Sequence, residues 1–430
     1  MLFISTVIGK SLLFLSKLLG RGGSALPGLV IEKIYPRFLP RVLNQLPHGV
    51  IIVTGTNGKT TTTKIISELL GAYNLRVLTN KTGSNFVRGI IAAIVKHISL
   101  FGRLPYDIAV FEQDEAHAVH LVKRIQPRGV VALNVGRDQM DRFGEIDKTA
   151  KLIGKVVAQA SDWVVLNAND PRISALAKEA PAARKVWFGH AEALLPFFLG
   201  DDQHHAGANL KYFSAAKADV LLKDMKKDEL ALQVQGVDYH LQTKLDGTHN
   251  ALNIAAALAT LIAEEPNVTL NGVVPAVAAI EPAFGRGERI TLKDDRELRL
   301  QLIKNPASFT HALRLLDEHK FGAVGVVIND DYPDGRDVSW LWDVDFSPLQ
   351  NPAAAIFCGG TRAYDMAVRL KYDEVAYQGV VIKPAEFLNT FLKSSSGNPG
   401  QLIIFCTYTA MLSLRKLLKS LSRQMSGEGL

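Results

Sequence analysis

Lys59 and Thr60 follow a glycine in the stretch Thr54-Gly55-Thr56-Asn57-Gly58-Lys59-Thr60-Thr61. An ammonium and a hydroxyl at that spacing suit the handling of a nucleoside triphosphate. Lys59 can reach the β- and γ-phosphates, and the Thr60 hydroxyl can ligate Mg²⁺. Gly55 and Gly58 permit a tight turn and let backbone N–H groups come close to the phosphates. The pattern G-x-x-x-x-G-K-[ST] would need glycine at position 53, where Val53 stands. Gly55, Thr56, Asn57, Gly58, Lys59, Thr60 and Thr61 form the candidate ATP-binding set.

Other residues could complete that chemistry. Glu112 comes first after the apolar run Tyr106–Phe111 and is the candidate to share Mg²⁺ with Thr60. Asp114 and Glu115 follow it, as outer support or as the acidic start of a helix. Asn250 and Asn253 share a helix face, where their amides could read a purine edge or simply cap the helix. Arg286, in Gly285-Arg286-Gly287, could neutralise phosphate charge from an interdomain linker. Asn329 to Phe346 packs six Asp, two Trp and one Arg into a loop after a strand, and loops so placed carry function more often than packing. Thr82-Gly83-Ser84-Asn85 reads equally as a ligand loop and as a plain turn. Asp201, Asp202, His204 and His205 lack metal-ligand spacing and read as exposed.

The elements that must position these groups follow from periodicity. Gly49 to Val53 is a β-branched run suited to a buried parallel strand, and Ile65, Ile66, Leu69 and Leu70 after the loop fall at helical spacing. Strand, glycine turn and helix recur around Arg76–Thr79, Tyr106–Phe111, Gly129–Leu133 and Trp163–Leu166. Five such units make an α/β, doubly wound parallel sheet, whose ligand lies beyond the carboxyl ends of the strands. Short alternating runs between about 185 and 245 suggest antiparallel strands. A second α/β pattern starts near Glu297. The expected division is a helical segment at 1–45, an ATP-binding domain at 46–290 and a Rossmann-like α/β domain at 291–430.

The 430 residues are 47% hydrophobic and 21% charged, as in a globular protein of two or three domains. A net charge of +7 fits an anionic ligand or membrane surface, or merely a Lys-rich exterior. No basic run with interleaved aromatics points to nucleic acid. Cys358 and Cys406, each ending an apolar run, read as buried small hydrophobes. Met1 to Leu19, interrupted by Lys10 and Lys17, reads as an amphipathic helix packed on the protein rather than lying on lipid.

Taken together, these motifs resemble the Mur ligase family. The shortened T-G-T-N-G-K-T is the form seen in Mur ligases and folylpolyglutamate synthases. It is joined by Glu112, by Asn134, Asp138 and Asp141, by Leu-Asn-Ala-x-Asp-Pro, by Gly-x-His-Asn-x-x-Asn and by an interdomain Gly-Arg. Within the family the chain is similar to the ligase-like subunits of lipid II isoglutaminyl synthase. Arg137–Asp147, Lys304-Asn305-Pro306-Ala307 and Asp334–Trp340 carry that narrower likeness, and Gln139 stands where other Mur ligases have histidine. These subunits commonly hold a four-cysteine zinc ribbon in the middle domain. No cysteine precedes Cys358, so structural zinc is not expected.

The resemblance implies ATP- and Mg²⁺-dependent amidation of D-glutamate in the lipid II stem peptide. Lys59 and Glu112 would act in catalysis, Asn250 and Asn253 would hold the adenine side, and Arg286 the phosphates. Ammonia would come from a GatD-type class I glutamine amidotransferase in a heterodimer, with Asp337 completing its Cys-His pair. The protein would be cytoplasmic, meeting lipid II at the inner face of the membrane. A stand-alone ligase that adds an amino acid to a carboxylate is the alternative, and a non-catalytic ATP-binding scaffold for a glutaminase a further one.

Overall fold

The computed structural model describes all residues except 19–24, 81–85, 137–145, 199–214, 227–228, 246, 282–285, 351–353, 396–399 and 426–430. Three helices open the chain: α1 (Leu2–Leu18), α2 (Ala25–Ile34) and α3 (Phe38–Leu43). A nine-stranded sheet follows. Its strands are β1 (Val50–Thr54), β2 (Val77–Thr79), β3 (Ile108–Glu112), β4 (Gly129–Ala132), β5 (Trp163–Asn167), β6 (Arg184–His190), β7 (Val220–Lys226), β8 (Glu229–Val234) and β9 (Val237–Gln242). The spatial order is β2-β3-β1-β4-β5-β6-β7-β8-β9. Pairing is parallel from β2 across to β7, and antiparallel in β7-β8-β9.

Successive side chains of a strand point to opposite faces, so a strand buried on both sides needs apolar residues throughout. The strand β1 has that character. Ile51 and Val53 join one core with Ile65 and Leu69 of α4 (Lys59–Ala72). Val50 and Ile52 join another with Ile90 and Ile94 of α5 (Val87–His97), Leu121 of α6 (Glu115–Val122) and Ile153 of α7 (Ile146–Val157). The Ala-rich α8 (Thr248–Glu264) covers the first face. This is the doubly wound α/β arrangement expected. It extends further than the sequence suggested, because β6 and β7 continue the parallel run past residue 185. Trp187 and Lys185 interrupt the apolar pattern of β6 and mask it as a strand.

The second sheet holds β10 (Arg286–Leu292), β11 (Glu297–Leu302), β12 (Phe321–Val327), β13 (Ala355–Gly359), β14 (Gly379–Val381), β15 (Gln401–Cys406) and β16 (Ser422–Met425), in the order β14-β13-β12-β15-β11-β10-β16. Its centre is parallel, while β10 and β16 run antiparallel at one edge. The helices α9 (Pro306–Leu313), α10 (Ala363–Tyr372), α11 (Pro384–Ser394) and α12 (Tyr408–Leu418) cover it. The stretch read as a linker around Arg286 is therefore the start of β10. Its glycines suggested a loop, but pairing with β11 overrides that local preference.

Arg76 fastens the edge of the first sheet. Its backbone N, Nε and NH2 donate to Asp107 at 2.8, 3.0 and 2.7 Å. These bonds hold the Asp107 carboxyl down at about 2. A carboxyl depressed in the folded state contributes stability above the ordinary carboxylate pKa, and the contribution is lost as pH falls through about 2. An NMR titration should place Asp107 near 2, and Arg76→Ala should return it part of the way toward the ordinary value. An unmoved midpoint would contradict this account.

Candidate active site

The loop between β1 and α4 forms because two of its residues take up left-handed backbone angles. Gly55 has φ +130° and Gly58 has φ +86°. A Cβ on Gly58 would also lie 2.3 Å from Asn253 Oδ1, so glycine is required for space as well as for angle. Beyond it, α4 begins at Lys59, and Gly58 offers no side chain to cap its first turn.

Asn134, after β4, braces the loop from the side. Its Oδ1 accepts from Asn57 N at 2.8 Å, its Nδ2 donates to Asn57 O at 3.0 Å, and its backbone O accepts from Thr56 N at 3.0 Å. Asp170 fixes Asn134's own turn. This half-buried carboxylate accepts from Val135 N at 2.7 Å and, as a helix cap, from Arg172 N and Ile173 N. Burial pushes its carboxyl pKa up, against three donors that favour the charged form. Asp170→Ala orphans those donors, and about 2 kcal/mol of stability should go with them. A thermal melt would show a lower Tm, and the Km for ATP should rise through the loosened loop. Asp170→Asn, which keeps one acceptor oxygen, should do less.

Lys59 is buried at the centre. Its Nζ donates to Gly55 O at 2.6 Å and Thr56 O at 3.3 Å, and it lies 3.3 Å from Asp114 and 3.8 Å from Glu115. Thr60 Oγ1 donates to Glu112 Oε1 at 2.7 Å. Asn80 grips the Glu112 backbone in both directions, at 2.9 and 3.0 Å. A hydroxyl beside a carboxylate oxygen is a donor pair suited to Mg²⁺, a hard cation that favours oxygen. Among the described residues, Thr54 Oγ1 and Gln113 Oε1 are buried here without a hydrogen-bond partner. Unspent polar atoms beside a glycine cradle fit a site built for a charged ligand.

Several assignments made from sequence land in this cluster. Asn250 and Asn253 are both buried at the start of α8, bonded to each other at 3.2 Å, with Asn253 against Gly58. Arg286 begins β10, and its side chain is outside the described set. So are Thr82–Asn85, Asp138, Gln139, Asp141 and the Asp201–His205 group. Asp337 is exposed after β12, its Oδ1 accepting from Ser339 N at 2.8 Å.

Sequence reasoning placed Lys304 and Asn305 in a motif but gave them no role at this loop, where the second sheet makes its own contribution. Lys304 Nζ donates to Thr56 O at 3.0 Å, and Asn305 Nδ2 donates to Asn57 Oδ1 at 3.0 Å. Asn305 is held by a capping box with Ser308 at the head of α9. The carboxyl end of β11 thus meets the carboxyl end of β1. The available signal was Asn-Pro-x-Ser after a strand, a helix-start pattern.

Comparison with known proteins defines the class first. Residues 53–261 match the Mur ligase middle domain, and the fold is that of solved Mur ligases. MurF from Acinetobacter baumannii superposes with a TM-score of 0.67 at 19% identity, over 87% of this chain and 78% of that one. MurF from Thermotoga maritima, solved in complex with ADP, gives 0.65 at 17% identity, over 89% and 82%. Residues 302–411 match the MurT ligase C-terminal family. A MurT subunit of lipid II isoglutaminyl synthase (glutamine-hydrolyzing) from Streptococcus pneumoniae R6 is 30% identical over 97% of both chains, and one from Staphylococcus aureus COL is 28% identical over 96% of both. The chain belongs to the MurT family of Mur-type, ATP-dependent ligases.

Proposed function

We propose that this chain amidates the α-carboxylate of D-glutamate in the lipid II stem peptide. The carboxylate oxygen takes the γ-phosphoryl group of ATP, releasing ADP. Ammonia then attacks the carbonyl carbon, phosphate leaves with the C–O bond, and D-isoglutamine remains. The observation that carries this reading is the buried Lys59 beside the Thr60–Glu112 pair at the mouth of a glycine loop. Lys59 and the N–H groups of α4 would stabilise charge on the transferring phosphoryl group. Thr60 and Glu112 would hold Mg²⁺, which neutralises phosphate charge when bound. Asn250, Asn253 and Arg286 would complete the nucleotide site. The names of the MurT relatives support the lipid II assignment.

The ammonia source is a partner on this reading. Both cysteines of the chain are buried, and burial pushes the Cys358 thiol up to about 12 and raises the Cys406 thiol as well. Neither supplies the thiolate that glutamine hydrolysis by a class I glutaminase needs. A GatD-type glutaminase would bring that nucleophile and a histidine, and Asp337 would complete the triad. An exposed apolar surface beside Asp337 supports docking there: Trp342 follows it in the same loop, and Tyr364, Val368 and Tyr372 line one side of α10. Trp342 and Tyr372 touch, with ring centroids 5.1 Å apart. This activity belongs in the cytoplasm, at the inner membrane face where lipid II presents its head group.

The deciding experiment is product mass on lipid II with ATP, Mg²⁺ and ammonium chloride, using this chain alone. One carboxylate should become an amide, a loss of about one mass unit. If neither ammonium nor glutamine with a co-purified glutaminase yields the amide, the amidation reading fails, and the amino-acid ligase with another acceptor takes its place ahead of the scaffold.

A further inference from the structure

The first helix is packed inside out. The residues α1 buries are small: Ser5, Thr6 and Gly9. Their hydroxyls are spent within the helix, Ser5 on Met1 O and Thr6 on Leu2 O, both at 2.9 Å. Gly9 lets α1 settle against α2 and α5, since a Cβ there would lie 2.4 Å from Ile31 and 2.9 Å from Val95. Leu2 and Leu13 pack partly against the core, but six large apolar residues face outward. Phe3, Ile4, Val7, Phe14, Leu15 and Leu18 are all exposed, Phe14 at 64% and Leu18 at 68%. Their spacing of three, four and seven puts them on one stripe. The turn after α5 extends it: Phe101, 83% exposed, has its ring 6.3 Å from that of Phe3.

The segment that carries this stripe is cationic. Residues 1–49 hold six Lys or Arg and one acid, Glu32, and so carry five of the chain's seven net positive charges. Lys96 and Arg103 are exposed beside the Phe101 turn. Burial first, then the nearby Lys96 and Lys10 ammonium groups, holds the His97 imidazole below its usual pKa, which places both lysines at this end of the patch. No helix among the described residues is long and apolar enough to cross a membrane.

We infer that α1 and the Phe101 turn form a docking face for an anionic lipid bilayer, with the helix lying in the interface plane. An aromatic and aliphatic stripe with a cationic surround is the composition of an interfacial helix. A second copy of the chain fits worse, because pairing would bring two cationic surfaces together. The sequence reading expected this helix to pack on the protein. It does, through its small residues with Leu2 and Leu13 beside them, which leaves six large ones for another surface. The lipid face stands independently of the amidation reading.

The test is sedimentation of the full chain with vesicles of phosphatidylglycerol and phosphatidylcholine, against phosphatidylcholine alone. Binding should require the anionic lipid and weaken with salt. Each apolar side chain that leaves the interface should lower the partition coefficient on the order of tenfold. Phe3→Ser/Phe14→Ser/Leu18→Ser should therefore weaken it at least about a hundredfold. All three residues are exposed, so the Tm should hold. Hydrogen exchange on the unmodified chain provides a variant-free check: vesicles should protect residues 1–18 and 99–103. Failure to sediment with anionic vesicles would overturn the inference. So would equal binding by the triple variant, or a concentration-dependent dimer that the triple variant abolishes while vesicles bind neither form.

Discussion

Replacing Asp337 by asparagine is expected to abolish amide formation from glutamine and to leave amide formation from ammonium unchanged. The carboxylate is exposed and accepts from the N–H of Ser339 within its own turn, a bond that the oxygen of an amide can keep. The third member of a nucleophilic triad orients and charges the histidine, and its loss as asparagine costs about four orders of magnitude in turnover. A merely structural Asp337 would weaken both ammonia sources alike. The paired assay separates the outcomes: parallel loss with glutamine and ammonium would remove Asp337 from the triad and leave the ligase reading standing.

The second large effect should come from Lys59→Ala. With either ammonia source, turnover is expected to fall on the order of a thousandfold, as when a preorganised charge facing the transferring group is removed. The substitution also frees the Gly55 carbonyl, leaves Thr56 O to Lys304 alone, and deprives Asp114 and Glu115 of their buried ammonium. Some loss of stability will accompany it, read separately from Tm. ADP release measured in single turnover should fall with amide formation. Normal ADP release without amide would mean that Lys59 serves the second step rather than phosphoryl transfer.

Legibility in the sequence tracked the range of the interactions. The loop at Gly55–Thr60 was plain because its strand, turn and helix are contiguous, and Glu112 because it closes a strand of unmistakable pattern. Asn134 appeared as part of a motif without a role, since its partners Thr56 and Asn57 lie nearly eighty residues earlier. Lys304 and Asn305 likewise appeared only within a motif, because the loop they contact is 248 residues away. Two strands at one side of the second sheet escaped for another reason. The strand β16 is short and mostly polar, and β10 has Gly287 between charged residues at its start, so pairing rather than propensity makes them strands. The burial of small residues on α1 was invisible to a periodicity argument, which assumes that the large apolar side faces inward.

One element has consequences beyond its packing. The seventeen residues of α8 span about 25 Å. Asn253 sits at one end against Gly58, and Glu264 is fully buried at the other. There His48 lies 2.8 Å from Glu264, Arg128 3.3 Å, and the Trp163 indole 3.3 Å, while Arg184 bonds the adjacent Ala263 carbonyl. The helix is thus a strut braced at both ends of the sheet, and a stiff strut carries a displacement along its length. Glu264→Ala, at the end remote from any phosphate, should raise the Km for ATP as well as lower the Tm. The nucleotide would thus sense damage at the opposite end of the domain.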